Sequence, residues 1–376
     1  MNFSTNSTDN SLSSIQSNIN SGGVNVQNKQ YRPGGPLTIT ELSTADEIAF
    51  PVIMVRNNIS LQNTLNQAIN NGKRVYLFGD GLTLVEYKNL LHLDSLDVYT
   101  NNGMVDLAKD PTPEKGTIKE NPERETITGE DYYSVIGYTK NTGVPLQLIT
   151  NTMTNGYEDE YFGTVPSNLQ MNQYYQEILD NVTQNKILSD QFGPYGIVNS
   201  SKVKYQLTAY LGVQVGKVVS QWILNKNTSE TDKNFDFFYV TDLTQLLTYN
   251  SGRATYLKTD HDIPYSTDYI QTWGPHDDSD GHYTVQLTVP WSASFSFDMV
   301  SKPSIDDISN SDLDYARWVV RDTDMSDDTF EPKTQWKSAG TYASMDIRHW
   351  ATFSGILDGR TVTTQVSHKL DVDYDY

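Results

Sequence analysis

The feature that most constrains this chain is a two-residue rhythm in its second half. From Val203 to Val215 every odd position is apolar: Val203, Tyr205, Leu207, Ala209, Leu211, Val213 and Val215. The even positions hold Lys204, Gln206, Thr208, Tyr210, Gly212 and Gln214. From Tyr283 to Met299 the odd positions are again apolar, through Val285, Leu287, Val289, Trp291, Ala293, Phe295 and Phe297. The run 362–376 repeats the pattern, with Val366, His368, Leu370, Val372 and Tyr374 opposite Lys369, Asp371, Asp373 and Asp375. Side chains of a strand alternate between two faces, so such runs predict strands with one apolar and one polar face. Strands usually run about 5–6 residues. These long runs predict an elongated, mostly antiparallel β half.

The first run continues through Trp222 and Ile223 to a polar stretch, Asn225 to Asn234, and returns through Phe235, Phe237 and Tyr239. This reads as a long amphipathic hairpin over 203–243. At roughly 3.3 Å per residue its first arm spans about 40 Å, and a bilayer-crossing strand needs about 9–11 residues. Pro290 interrupts the second run on its polar side, which predicts an edge, bulge or bend there. Asp358-Gly359 predicts the turn of a hairpin leading into the last run.

The first half has a different texture. Residues 1–36 are an Asn/Ser-rich arm and linker ending in Tyr31-Arg32-Pro33-Gly34-Gly35-Pro36. With few large apolar groups, this segment is expected to stay flexible. Phe50 to Val55 reads as a strand. Ser60 is placed to cap a helix with Leu61, Leu65, Ala68 and Ile69 on one face. Lys73 to Phe78 reads as a strand, Leu84 to Leu93 as a helix and Leu96 to Tyr99 as a strand. Residues 101–125 carry three prolines and read as an exposed loop, with Lys115, Lys119 and Arg124 open to proteolysis. Asn141-Thr142-Gly143 marks a hairpin, and Leu169, Tyr174, Tyr175, Ile178, Leu179 and Val182 mark an amphipathic helix. The predicted class is α+β: a mixed α/β domain over 37–200, then a long-stranded β domain over 201–376.

Composition narrows function. The net charge is −20, which argues against a nucleic-acid partner and against purely electrostatic docking on anionic lipid. There is no cysteine, so thiolate chemistry and disulfides are absent. No apolar run reaches the length of a membrane-spanning helix. The N-terminus has neither a basic n-region nor an apolar h-region, so no Sec signal peptide is expected. The protein is expected either to stay inside, to leave by another route, or to be released by lysis or from an inclusion.

No motif commits the chain to catalysis. Gly79-Asp80-Gly81 lacks the third glycine of a dinucleotide fingerprint, and no P-loop occurs. Glu158-Asp159-Glu160 stands without the partner motifs that an ADP-ribosylating site needs. His276, Asp278 and Asp280, beside Gly281, resemble a calcium loop. Its first position would be a histidine and its twelfth Leu287, so a solvated turn competes with that reading. Trp273 and His276, in a polar turn, are the best candidates for a sugar or receptor platform. Core packing is the competing role for Trp291.

The arrangement of an amphipathic hairpin with a polar tip at 203–243, a strand–Val289-Pro290–strand run and a β C-terminus resembles bacterial β-pore-forming toxins. The resemblance is to the aerolysin and epsilon-toxin/Mtx2 group, and secondarily to leukocidin-like cytolysins. It covers about residues 200–376. It implies a protein without enzymatic activity that binds a target membrane or receptor, forms a homo-oligomer and inserts one hairpin per copy into a closed barrel. Closure satisfies the backbone hydrogen bonds in lipid. On that reading Val203, Tyr205, Leu207, Leu211, Val213 and Val215 face lipid, while Gln206, Thr208 and Gln214 face the lumen. The alternative is an ordinary strand packed on a core, in a structural or adhesive subunit such as a phage, capsid or appendage protein.

Overall fold

The computed structural model describes residues 2–3, 27–28, 42, 45–100, 103–106, 119, 132–159, 163–192, 202–227, 232–276, 281–288, 290–291, 293–325, 327–340 and 342–375. The chain divides into two compact units. The first comprises residues 1–99, 132–151 and 169–204, and the second residues 100–131, 152–168 and 205–376. The two units are interleaved in sequence. The class is α+β: among the described residues the α-helices lie in the first unit and strands dominate the second.

In chain order the elements begin with β1 (Asn2–Phe3), β2 (Gln27–Asn28), β3 (Glu47–Pro51), α1 (Val52–Arg56), α2 (Ile59–Asn70), β4 (Arg74–Leu82), α3 (Leu84–Leu90) and β5 (Asp97–Thr100). They continue with β6 (Gly103–Asp106), β7 (Tyr133–Tyr138), β8 (Leu148–Asp159), β9 (Gly163–Pro166) and α4 (Met171–Phe192). Then follow β10 (Val203–Leu211), β11 (Val213–Lys226), β12 (Asp236–Thr248), β13 (Arg253–Asp262), β14 (Asp268–Gly274), β15 (His282–Gln286), β16 (Ser294–Asp298) and β17 (Ser304–Asp307). The last are β18 (Tyr315–Met325), β19 (Thr329–Phe330), β20 (Lys333–Ser338), β21 (Tyr342–Leu357) and β22 (Arg360–Asp375).

In the first unit β3 and β4 run parallel, and β4, β7 and the start of β8 continue the sheet antiparallel. The strand expected over 50–55 ends at Pro51, which brings no N–H to a ladder. Val52 and Val55, three apart, then share a buried helical face, while Ile53 is exposed. Helix α2 buries Leu61, Leu65, Ala68 and Ile69 as expected. Its cap is Asn58, whose side chain accepts from Leu61 N at 3.0 Å, and not Ser60. Helix α4 lays Tyr174 and Tyr175 on Phe78, both ring pairs 5.6 Å apart. Asp80, inside the Gly-Asp-Gly turn, accepts from the Tyr174 hydroxyl at 2.7 Å, a structural use of the motif. Asn2–Phe3 pair in parallel with Ile48–Ala49 and with Gln27–Asn28. The rest of the arm over 1–36 lies outside the described residues.

The second unit contains two facing sheets. One has the order β10–β11–β12–β20–β14, antiparallel throughout, with β19 on β12. The other has the order β17–β18–β13–β21–β22, also antiparallel. Their inner faces are in direct contact. A Cβ placed on Gly216 of β11 would lie 2.0 Å from the Phe353 ring of β21. Trp222, Phe238, Val240, Trp318, Trp336, Ile347 and Ala351 are buried. Burying each large apolar side chain contributes about 1.5–3 kcal/mol.

Two of the three long alternating runs are broken by turns. The 203–215 run reverses at Gly212, whose φ is +76°, a left-handed conformation that favours glycine. Leu211 pairs with Val213, so the first arm belongs to a β10–β11 hairpin. The polar-tipped hairpin starts only at Val213 and consists of β11 and β12. The segment 203–243 therefore spans three strands. The 283–299 run folds back at Pro290 into β15 and β16. The 362–376 run is one strand, β22, joined to β21 by the expected Asp358-Gly359 turn, with φ of +50° and +78°. Lys119, expected on an open loop, donates from Nζ to Asp268 O at 2.5 Å and pairs with Asp314 Oδ2 at 2.6 Å. Lys115 and Arg124 lie outside the described residues.

Candidate functional site

The 282–298 hairpin forms a two-stranded sheet of its own among the described residues. Tyr283 pairs with Phe297 and Val285 with Phe295, so odd positions face odd positions and the alternation survives the turn. Tyr283, Val285, Leu287 and Phe297 are buried. His282, Thr284, Gln286, Thr288, Ser294, Ser296 and Asp298 are exposed. The hairpin thus presents a hydroxyl-rich face to solvent and an apolar face to the unit.

Side chains, and not a strand ladder, tie this hairpin to its surroundings. Trp291 meets Tyr239 of β12 edge-on at 5.0 Å, and Phe295 lies 6.2 Å from the same ring. The Lys333 ammonium sits 4.9 Å above the Phe295 ring, and burial lowers its proton affinity. The Trp291 contact puts it at the rim of the packing and not in the deep core. Val285 seats against Gly274 of β14, where a Cβ would come within 3.0 Å of Val285 Cγ1. The base is held by the Tyr283 hydroxyl on Pro303 O at 2.7 Å and by buried Asp328, whose Oδ1 accepts from Val300 N at 2.7 Å. On the turn side Thr288 N donates to Gln335 Oε1 at 3.0 Å.

Next to the hairpin in sequence, Asp307 organises the predicted aromatic platform. Its carboxylate accepts from Trp273 Nε1 at 2.9 Å and pairs with His276 Nδ1 at 2.7 Å. The Trp273 and His276 rings lie 6.0 Å apart, nearly perpendicular. Trp273 is half-buried and His276 exposed. Asp278 and Asp280 lie outside the described residues, and among the described residues no group of three metal-ligating side chains converges. His276 is engaged by Asp307, a partner that its sequence neighbours did not suggest.

Val203, Tyr205, Leu207, Leu211 and Val215 are buried, and so are Lys204, Gln206 and Thr208 between them. Both faces of β10 are therefore covered. Val213, at the turn, is exposed, and Gln214 is half-buried.

One buried cluster had no counterpart in the sequence reading. Asp242 of β12 faces His349 and His261 of the opposite sheet, and His368 stands behind His349. His349 Nε2 lies 2.6 Å from Asp242 Oδ2 and His261 Nε2 3.7 Å from it. Ser220 Oγ and Thr244 Oγ1 donate to Asp242 Oδ1 at 2.7 and 3.1 Å. His349 Nδ1 lies 3.4 Å from His368 Nε2, and His261 Nδ1 lies 2.8 Å from Thr334 Oγ1. Burial opposes charge on Asp242, but the adjacent imidazoles, His349 through its 2.6 Å hydrogen bond and His261 at 3.7 Å, outweigh it and hold the carboxyl well below the usual range. Burial first, and then the adjacent His349 ring, which disfavours a second cation beside it, push His368 well below the ordinary imidazole value. Serine, histidine and aspartate meet here, but the carboxylate sits between the other two. A nucleophilic triad needs the imidazole in the middle. The cluster is also closed to solvent, so it is a core network. The available signal was a histidine or aspartate at an inward position of an apolar alternation.

No family model and no curated protein sequence matches the chain. Among solved structures, Clostridium perfringens delta-toxin aligns with a TM-score of 0.30 and 7% identity, over 43% of this chain and 85% of that one. A pore-forming protein aligns at 0.27 and 5%, over 46% and 90%. The collagen-binding domain of a Staphylococcus aureus adhesin aligns at 0.24 and 7%, over 41% and 97%. The likeness to pore-forming toxins is weak at these scores, and less than half of this chain takes part in it.

Proposed function

We propose that this protein is a β-pore-forming toxin whose membrane-inserting element is the 282–298 hairpin. The observation that carries the reading is that hairpin's two faces and its attachment. Its apolar side chains are sequestered against the unit, its Ser/Thr/Gln face is wet, and it shares no backbone ladder with another strand among the described residues. Detaching it costs side-chain burial, about 1.5–3 kcal/mol for each fully covered group, without dismantling either sheet. In a closed barrel the apolar face would meet lipid and the hydroxyl face the aqueous lumen. Arms of about nine to eleven residues cross a bilayer, a length reached by extending each arm a few residues into its flank. The 203–211 strand, in contrast, is covered on both faces, so its insertion would require both coverings to be removed. The insertion role expected for that segment is therefore moved to 282–298. The homo-oligomer follows from closure, since one hairpin cannot close a barrel. Trp273 and His276, held by Asp307 one strand before the hairpin, are the proposed receptor or sugar contact.

The test uses the absence of native cysteine. In Gly274→Cys/Val285→Cys the two Cβ atoms would lie 3.3 Å apart, close to disulfide geometry. The oxidised protein should bind target membranes without dye leakage, and reduction should restore leakage. A second pair, Phe237→Cys/Lys337→Cys, joins register partners of β12 and β20 and should leave leakage intact. Equal leakage from oxidised and reduced 274/285 protein would sink the assignment. Leakage blocked by the 237/337 pair would return the role to the 203–243 region.

A further inference from the structure

The buried Asp242–histidine chain has a property separate from pore formation. Asp242 as a carboxylate only accepts, so the His349 nitrogen 2.6 Å from it carries a proton. Thr244 Oγ1, already donating to Asp242, lies 3.1 Å from the same His349 nitrogen. Neutral His349 then offers Nδ1 as an acceptor to His368 Nε2–H at 3.4 Å. If His349 becomes an imidazolium, Nδ1 turns into a donor and His368 must switch tautomer to accept from it. A further proton on His368 would set two cations face to face with one carboxylate for both.

Among the described residues no second carboxylate contacts these three histidines; Asp268 of β14, also buried, accepts instead from Ser344 N of β21 at 2.9 Å. Beside the cluster, β10 contributes Tyr205, whose ring centre is 6.1 Å from His368. Strand β11 contributes Ser220, β18 contributes Trp318 packed edge-on 5.1 Å from His261, and β20 contributes Thr334. Strands β12, β13, β21 and β22 contribute Asp242, His261, His349 and His368. The charged residues next to His261, His349 and His368 on their own strands fall on the alternate, outer positions. There Arg348 pairs with Asp260, Asp262 and Asp346, Arg317 pairs with Asp260, and Lys369 pairs with Asp346. Lys258 lies over Trp350 on that same side.

We propose that the His261–His349–His368 chain under Asp242 is an acid-sensing latch: it keeps the two sheets of the second unit together at neutral pH and loosens them in mild acid. The chain accommodates one added proton beside its single carboxylate, and the next one is accepted only by opening the interlayer. The sign follows from linkage. An unfolded histidine titrates near about 6.5, and folded His368 binds its proton well below that. The opened state therefore takes up the proton first. Stability from His368 is complete above about pH 6.5 and is lost as pH falls below it, by up to about tenfold in the unfolding constant per pH unit. Asp268 acts in the opposite direction, because burial raises its folded value to about 6. Only a comparison with a variant isolates the histidine contribution.

The deciding measurement is the urea-unfolding constant of wild type and His368→Leu between pH 7 and 5. The wild-type constant should rise relative to the variant by about tenfold per pH unit at most. Parallel pH profiles would overturn the latch. A second experiment needs no variant: ring-nitrogen NMR of the wild-type protein, with the surface residues His92, His276 and His282 supplying comparison signals. His368 should remain neutral until near-UV circular dichroism reports loss of packing and a hydrophobic dye begins to bind. Protonation of His368 at pH 5 with packing unchanged would also overturn it. Neither readout involves membranes, so failure of the latch and failure of the pore reading are distinguishable.

Discussion

At the scale of single residues, Asp242 carries the largest structural consequence. It collects two hydroxyl donors and the His349 imidazole in a site without water access. Removing one partner of a buried hydrogen-bonded network costs about 1–3 kcal/mol, because the remaining donors are left without an acceptor. Asp242→Asn is expected to lose that amount in urea unfolding at pH 7, out of a typical domain stability of about 5–15 kcal/mol. The carboxyl's own pH window is separate from that of His368. Its folded value is depressed, so its stabilisation is complete above about pH 4 and is lost as pH falls from there.

At the scale of elements, alternation identifies a strand but not where it turns. In the 282–298 hairpin, facing residues are both odd-numbered, so the apolar stripe passes through the turn at Pro290 without a break. A hairpin with that loop parity and a single long strand give the same pattern. In β10–β11 a bulge between Ala209 and Tyr210 and the turn at Gly212 shift the inward positions from odd to even. Val213, counted on the apolar face, ends at an exposed turn as a result. Helix starts carry a similar ambiguity, since Asn58 and Ser60 are both good caps in sequence. The backbone places Asn58 under Leu61 N, so Asn58→Ala should cost about 1 kcal/mol. Ser60→Ala should be close to neutral in the same thermal or urea experiment. Equal losses at both positions would contradict the cap assignment.

At the scale of the whole molecule, the governing quantity is charge. Each copy carries −20, so approach of copies on a surface is opposed by repulsion that salt screens, with a Debye length of about 30 Å at 0.01 M and about 8 Å at 0.15 M. If the protein assembles as proposed, leakage from zwitterionic vesicles should speed up over that salt range. Binding to anionic vesicles at low salt should be weaker than to zwitterionic ones. The reverse lipid preference would point to a local basic surface that the net charge hides.

The sequence by itself determined the β character of the second half, the apolar face of α2, the final hairpin at Asp358-Gly359 and the absence of thiol chemistry. These depend on local periodicity, turn residues and composition, which act within a few neighbours along the chain. Tertiary structure alone decided that 203–211 is covered on both faces, that 282–298 stands as a separate two-faced hairpin, and that Asp242 meets His261, His349 and His368. Those outcomes depend on which strand lies over which. Residues 107 positions apart, as Asp242 and His349 are, are brought together by the stacking of two sheets that no local pattern encodes.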